Sequence, residues 1–291
     1  MPIDIDLRKD YSLIQKKELS IVGIEVDQTI PIDKIPYIYC NFIKRKILKQ
    51  PRRIMKAKEF ICPSDLLPGL DNLEKKILAG DDLTPHLSKR VFRDYEGTDA
   101  LLNDWGIHHL HLGIEMENGF VKRTKPVLFC IVTEEGIYFI AIKKHGEWTD
   151  QSLLKTVYKN WPDLIKPFIM PGVISLLQEQ TDEDIKKLRN GNVNHLIELE
   201  TGVVIFPPGG GYATDGTSNE VVTKVHEAMR FLTDFEEKIK EKESVIRKQI
   251  IAKKKTPART LKFKLEIKED DLVVYEIYSK TVFTFTDVSS E

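Results

Sequence analysis

Four of the seven histidines in this sequence lie between Trp105 and Trp148. His108, His109 and His111 belong to WGIHHLHLG, and His145 to IAIKKHGEW. Side chains alternate along an extended segment, so His109 and His111 share one face with Ile107, spaced by about 7 Å. His108 shares the other face with Leu110 and Leu112, where a hydrogen-bonded structural histidine is the plainer expectation. Cations accompany these rings. Lys122, Arg123 and Lys125 lead into one apolar segment, and Lys143, Lys144 and His145 leave the next. Imidazole exchanges protons near neutral pH, and guanidinium matches phosphate through two parallel hydrogen bonds. This chemistry suits RNA cleavage, in which a base removes the ribose 2′-hydroxyl proton, an acid protonates the leaving 5′-oxygen, and a fixed cation stabilises the phosphate. The expected catalytic set is His111 and His145 as acid and base in either order, Arg123 as phosphate clamp, and His109 as orienter or alternate base.

The same rings offer a second chemistry, three nitrogen ligands with an open metal position. The adjoining lysines and arginine repel a divalent cation, and the sequence has no carboxylate cluster of the two-metal kind. No metal or cofactor is therefore expected. Cys40, Cys62 and Cys130 have no CxxC spacing, which argues against a disulfide framework or thiolate zinc site and fits a reducing cytoplasm. The first residues carry no signal-peptide pattern, and no apolar run has membrane-spanning length, so no membrane partner is expected.

The elements that must position the rings follow from periodicity. Ile107 to Ile114, Val127 to Val132 and Ile137 to Ile142 read as strands, with Glu134, Glu135 and Gly136 closing a hairpin. A helix from Asp150 to Lys159 follows, capped by Thr149 or Asp150 and stopped at Trp161-Pro162. Upstream, the pattern predicts a strand from Leu19 to Val26 and helices from Ile35 to Lys49 and from Asp71 to Leu78 ending at Gly80. A third helix is expected to start at Thr84-Pro85. Downstream come a helix at Asp182 to Arg189, short strands at His195 to Leu199 and Val203 to Phe206, and the loop PPGGGYATDGTS. The spacing of Thr217 and Glu220 matches a capping box. A long amphipathic helix from Asn219 to Lys254 would reach roughly 50 Å. Leu261 to Ile267, Leu272 to Ile277 and Val282 to Phe285 close the chain as a meander. The expected class is α+β, a central antiparallel β-meander flanked by helices. The expected organisation is a mainly helical region over residues 1–100 and an α+β region over residues 101–291, in one domain or two.

The order of WGIHHLHLG, Arg123 before VLFCIV, and IYFIAIKKHGEW resembles the small-sheet core of RelE-type toxin nucleases over residues 98–160. That resemblance implies an endoribonuclease of a toxin-antitoxin or phage-defence system. The chain is longer than a typical toxin of this type, and three histidines in one strand are not a general feature of it. A net charge of −1 with 31% charged residues means that nucleic acid must be met by local patches. Two basic runs offer them, KRKILKQPRRIMKAK and KKKTPARTLKFK. Lys44, Arg45, Lys46, Arg52 and Arg53, with Lys122 and Lys144, are the expected phosphate contacts, and RNA is the expected partner. A protein partner or self-association through the helix at 219–254 is the second partner reading. The competing function is a non-catalytic nucleic-acid-binding or regulatory interaction protein.

Overall fold

The computed structural model describes residues 3–178, 180–200, 202–268 and 271–283. The chain divides into two compact units, one formed by residues 41–222 and the other by residues 1–40 together with 223–291. The second opens with a short strand, β1 (Ile3–Asp4), and a helix, α1 (Leu7–Ile21). Asp6 caps this helix by accepting the Lys9 N–H at 3.0 Å. The strand expected at Leu19 to Val26 is thus corrected. Leu19 lies in the last turn of α1, where it is buried with Leu7 as part of a helical stripe, and Ile24 and Val26 are buried without ladder partners.

The unit of residues 41–222 holds His108, His109, His111 and His145. After α2 (Ile35–Arg45), β2 (Arg53–Lys56) and α3 (Leu67–Ala79), the chain turns at Gly80, which has a left-handed φ of 77°. Thr84-Pro85 starts only a single 3-10 turn, not the expected helix, and the next helical turn is α4 (Arg90–Arg93). Then follow α5 (Ala100–Trp105), β3 (Ile107–His111), a small hairpin of β4 (Met116–Glu117) and β5 (Phe120–Val121), and the long pair β6 (Pro126–Val132) and β7 (Gly136–Lys144). The unit closes with α6 (Ser152–Asn160), α7 (Pro162–Ile165), α8 (Asp182–Asn190), β8 (Ile197–Glu200) and β9 (Val203–Ile205).

Four strands form one sheet in the order β2-β7-β6-β3, with β6 antiparallel to both neighbours and β2 parallel to β7. The α+β class is therefore observed, and the hairpin expected at Glu134 to Gly136 is present. β3 stops at His111, where its pairing with Val127 ends, instead of continuing to Ile114. One sheet face buries Ile107, Val127 and Phe129 against Leu153, Leu154 and Val157 of α6 and Ile185 of α8. Each fully buried side chain of this size contributes about 1.5–3 kcal/mol.

The remaining elements are α9 (Asn219–Glu241), α10 (Glu243–Ala252), β10 (Leu261–Lys268), β11 (Asp271–Glu276) and β12 (Thr281–Phe283). The single long helix expected from Asn219 to Lys254 is corrected, because the helix breaks at Lys242. The break lets Leu232, Phe235 and Ile239 on one side, and Ile246 and Ile250 on the other, enter the same core as Phe263, Leu265 and Val274. The sheet order is β1-β10-β11-β12, so the terminal meander is joined by the first strand of the chain in parallel pairing. Val282 and Phe283 lie in β12, whereas Phe285 falls outside the described residues. Among the described residues, no helix is long and apolar enough to cross a membrane, and all three cysteines are free thiols.

Candidate functional site

Strand register assembles the site. His109 lies opposite Phe129 and His111 opposite Val127, while Val127 and Pro126 face Lys143 and Lys144. The His145 N–H then donates to the Lys125 carbonyl at 2.8 Å, so the end of β3, the start of β6 and the end of β7 meet at one edge of the sheet. The three rings come together there. Centroid separations are 6.4 Å for His109 and His111, 6.1 Å for His109 and His145, and 5.7 Å for His111 and His145. Trp148 packs beside two of them, 4.6 Å from His109 and 4.7 Å from His145, with Phe129 5.6 Å away.

A cavity of about 530 Å³ opens at this edge, and its lining includes Arg45, His109, Arg123, His145, Trp148 and Arg189. His111 is absent from the lining. It is 1% exposed, and among the described residues neither ring nitrogen has a well-formed hydrogen bond. Its carbonyl accepts a hydrogen bond from Nδ1 of the buried His86 at 2.8 Å, which anchors the end of β3. His108 lies on the opposite face, as the alternation requires.

Electrostatics lowers the proton affinity of all three clustered imidazoles. Burial, reinforced by Arg123 and the two neighbouring rings, pushes the His111 pKa down to about 3. Burial also lowers His109, partly offset by Asp99, whose carboxylate lies 3.8 Å from Nδ1. His145 is lowered by burial and then by Arg123, yet it is the exposed ring of the three. Among the described residues, Arg123 has no carboxylate within ion-pair distance. Its one hydrogen-bond contact is a long 3.5 Å approach to the Leu87 carbonyl. The cavity thus joins two imidazoles, His109 and His145, to the guanidinium of Arg123.

The expected phosphate contacts divide. Lys44 is half-buried and pairs with Glu220 at 2.8 Å while donating to Ser218 at 2.8 Å. Arg45 is buried and donates to the Asp94 carbonyl at 3.0 Å, though it also lines the cavity. Arg52 is buried and donates to the carbonyls of Thr133 and Leu48. Lys46 lies over the Phe42 ring, Lys122 pairs with Glu115 at 2.8 Å, and Arg53 and Lys144 are exposed.

Sequence reasoning missed Asp99, Asp104 and Arg189 and gave Trp148 no role. Asp99 carried a legible signal, since it precedes an apolar run and caps α5 through the Leu102 N–H at 3.1 Å. Its approach to His109 is a tertiary fact. Asp104 and Arg189 are 85 positions apart, and their 2.7 Å ion pair has no local signature. Among the described residues, no group of three His, Cys, Asp or Glu side chains is disposed to hold a metal ion. No family model, curated protein or solved structure matches the chain.

Proposed function

We propose that the chain is an endoribonuclease that cleaves by transphosphorylation at this cavity without drawing on a metal. The observation that carries the reading is the meeting, in one cavity, of two imidazoles 6.1 Å apart and an arginine that, among the described residues, has no carboxylate at ion-pair distance. His145, exposed and neutral, takes the 2′-hydroxyl proton, and the 2′-oxygen attacks phosphorus. Arg123 neutralises the phosphate as the pentavalent state forms. The leaving 5′-oxygen takes its proton from His109, which Asp99 and the bound phosphate anion together favour in the charged form. The products are a 2′,3′-cyclic phosphate and a 5′-hydroxyl. This assignment gives His109 the role that sequence reasoning gave to His111, because His111 does not open on the cavity. The resemblance to RelE-type nucleases supports the same chemistry and suggests a toxin or phage-defence setting in the cytoplasm.

The test is incubation of purified protein with end-labelled RNA in excess chelator. The expected result is cleavage leaving cyclic phosphate ends, lowered by about 10²–10⁴-fold in His145→Ala and His109→Ala. Arg123→Ala should lose about 10²–10³-fold. RNA binding without turnover would sink the enzyme and favour the non-catalytic binding protein, and turnover that chelator abolishes would favour a metal mechanism.

A further inference from the structure

His145 sits on the connection between β7 and α6, where no ladder fixes its ring. The connection is held from α8. The buried Arg189 donates through Nη1 to the Trp148 carbonyl and through Nε to the Asp104 carboxylate at 2.7 Å, with its guanidinium 4.2 Å from the Trp105 ring centroid. Asp104 is fully buried in α5, the helix that Asp99 caps at its other end. The Trp148 backbone is thus held, and its ring packs beside both His145 and His109.

We propose that α5 is a two-ended clamp on the histidine pair: Asp99 acts on His109 through its charge, 3.8 Å from Nδ1, and Asp104 sets His145 through Arg189 and the Trp148 carbonyl. Arg189 is accordingly a positioning residue. This inference goes beyond the RNA reading, since it concerns how the rings are held whatever the substrate. Arginine suits the task because its planar fork reaches two acceptors in fixed directions, which an ammonium group does not. Replacing a buried ion pair by apolar groups is often neutral or stabilising. Geometry is then the better reason for the pair than stability, and a small displacement of a reacting group costs about 10²-fold in rate.

The test uses the full chain and the imidazole proton resonances, because the Trp148 ring current marks the position of the His145 ring. Arg189→Lys keeps a charge beside Asp104 but loses the fork. The expected result is a His145 Hε1 resonance moved toward its position in Trp148→Leu, with His226 unchanged. If Arg189→Lys does not fold, Asp104→Asn, nearly identical in shape, is read on the same resonance with the same expectation. A folded variant with lowered Tm and an unmoved His145 resonance would assign Arg189 to stability alone and overturn the proposal. With RNA as a second readout, kcat falls by about 10²-fold at unchanged KM. Absence of turnover in the unaltered protein bears on the cleavage reading only and leaves the resonance test standing.

Discussion

At the scale of single residues, His111 is the most exacting test of the site's electrostatics. Its ring is buried without a well-formed hydrogen bond among the described residues, and its pKa is pushed down to about 3 from an ordinary value of 6.5. A depressed histidine pKa means that the unfolded chain binds the proton more readily, so stability is fully present above pH 6.5 and is lost as pH falls toward the folded value. The loss over that window is on the order of a few kcal/mol. His111→Phe keeps a ring of similar shape and removes the titration. Its Tm should therefore vary less between pH 6.5 and pH 4 than that of the unaltered chain, by calorimetry at matched ionic strength. Parallel Tm curves would mean that His111 does not carry the acid sensitivity. The same sign governs activity: with the base pKa lowered by burial and Arg123, the rising limb of log kcat/KM lies below pH 6.5. A limb centred above that value would point to a base other than His145.

The period of two made His109 and His111 legible as neighbours, and the meander made their convergence with His145 legible too. Which ring faces the cavity was not legible, because it depends on α5 and α8, elements placed by contacts far along the chain. The inward turn of Lys44, Arg45 and Arg52 was hidden for the same reason. A basic run reads as a solvated patch until its partners are known, and here these are Glu220, the Asp94 carbonyl and the Thr133 carbonyl.

Among the elements, those fixed by local chemistry were readable and those fixed by tertiary packing were not. The hairpin at Glu134 to Gly136 and the helix starting at Asp182 carry their own turn and capping residues, including the box formed by Thr181 and Asp184. The helix α1 carries an apolar tail that mimics a strand, and the break at Lys242 serves a core completed by residues beyond it. Gly69 shows how an element's packing constrains the site. A Cβ there would lie 1.8 Å from the Leu112 carbonyl oxygen, next to the end of β3. Glycine in a helix is unfavourable by roughly 0.5–1 kcal/mol relative to alanine, yet here only glycine fits. Gly69→Ala should destabilise the chain by about 1–3 kcal/mol through overpacking, read as a lower urea midpoint. A gain in stability, the result that helix propensity alone predicts, would show that α3 is free to move away from β3.

For the whole molecule, every group in the proposed chemistry, and both ends of the α5 clamp, belongs to the unit formed by residues 41–222. That unit is one continuous stretch with its own sheet and core. The other unit draws on both ends of the chain, since Ile3 pairs with Leu261 and the Leu7 N–H donates to Glu236 at 2.6 Å. The two should therefore differ when separated. A chain of residues 41–222 begins inside α2 and ends inside α9 but keeps its sheet and core within itself, so it should unfold cooperatively and keep the His145 resonance at its full-length position. Residues 1–40 alone lack the strands that cover α1 and should show no cooperative transition. If the shorter chain instead melts without a transition, or loses the Trp148 ring-current shift, the histidine site depends on the other unit, and active-site variants would then have to be interpreted in the intact chain.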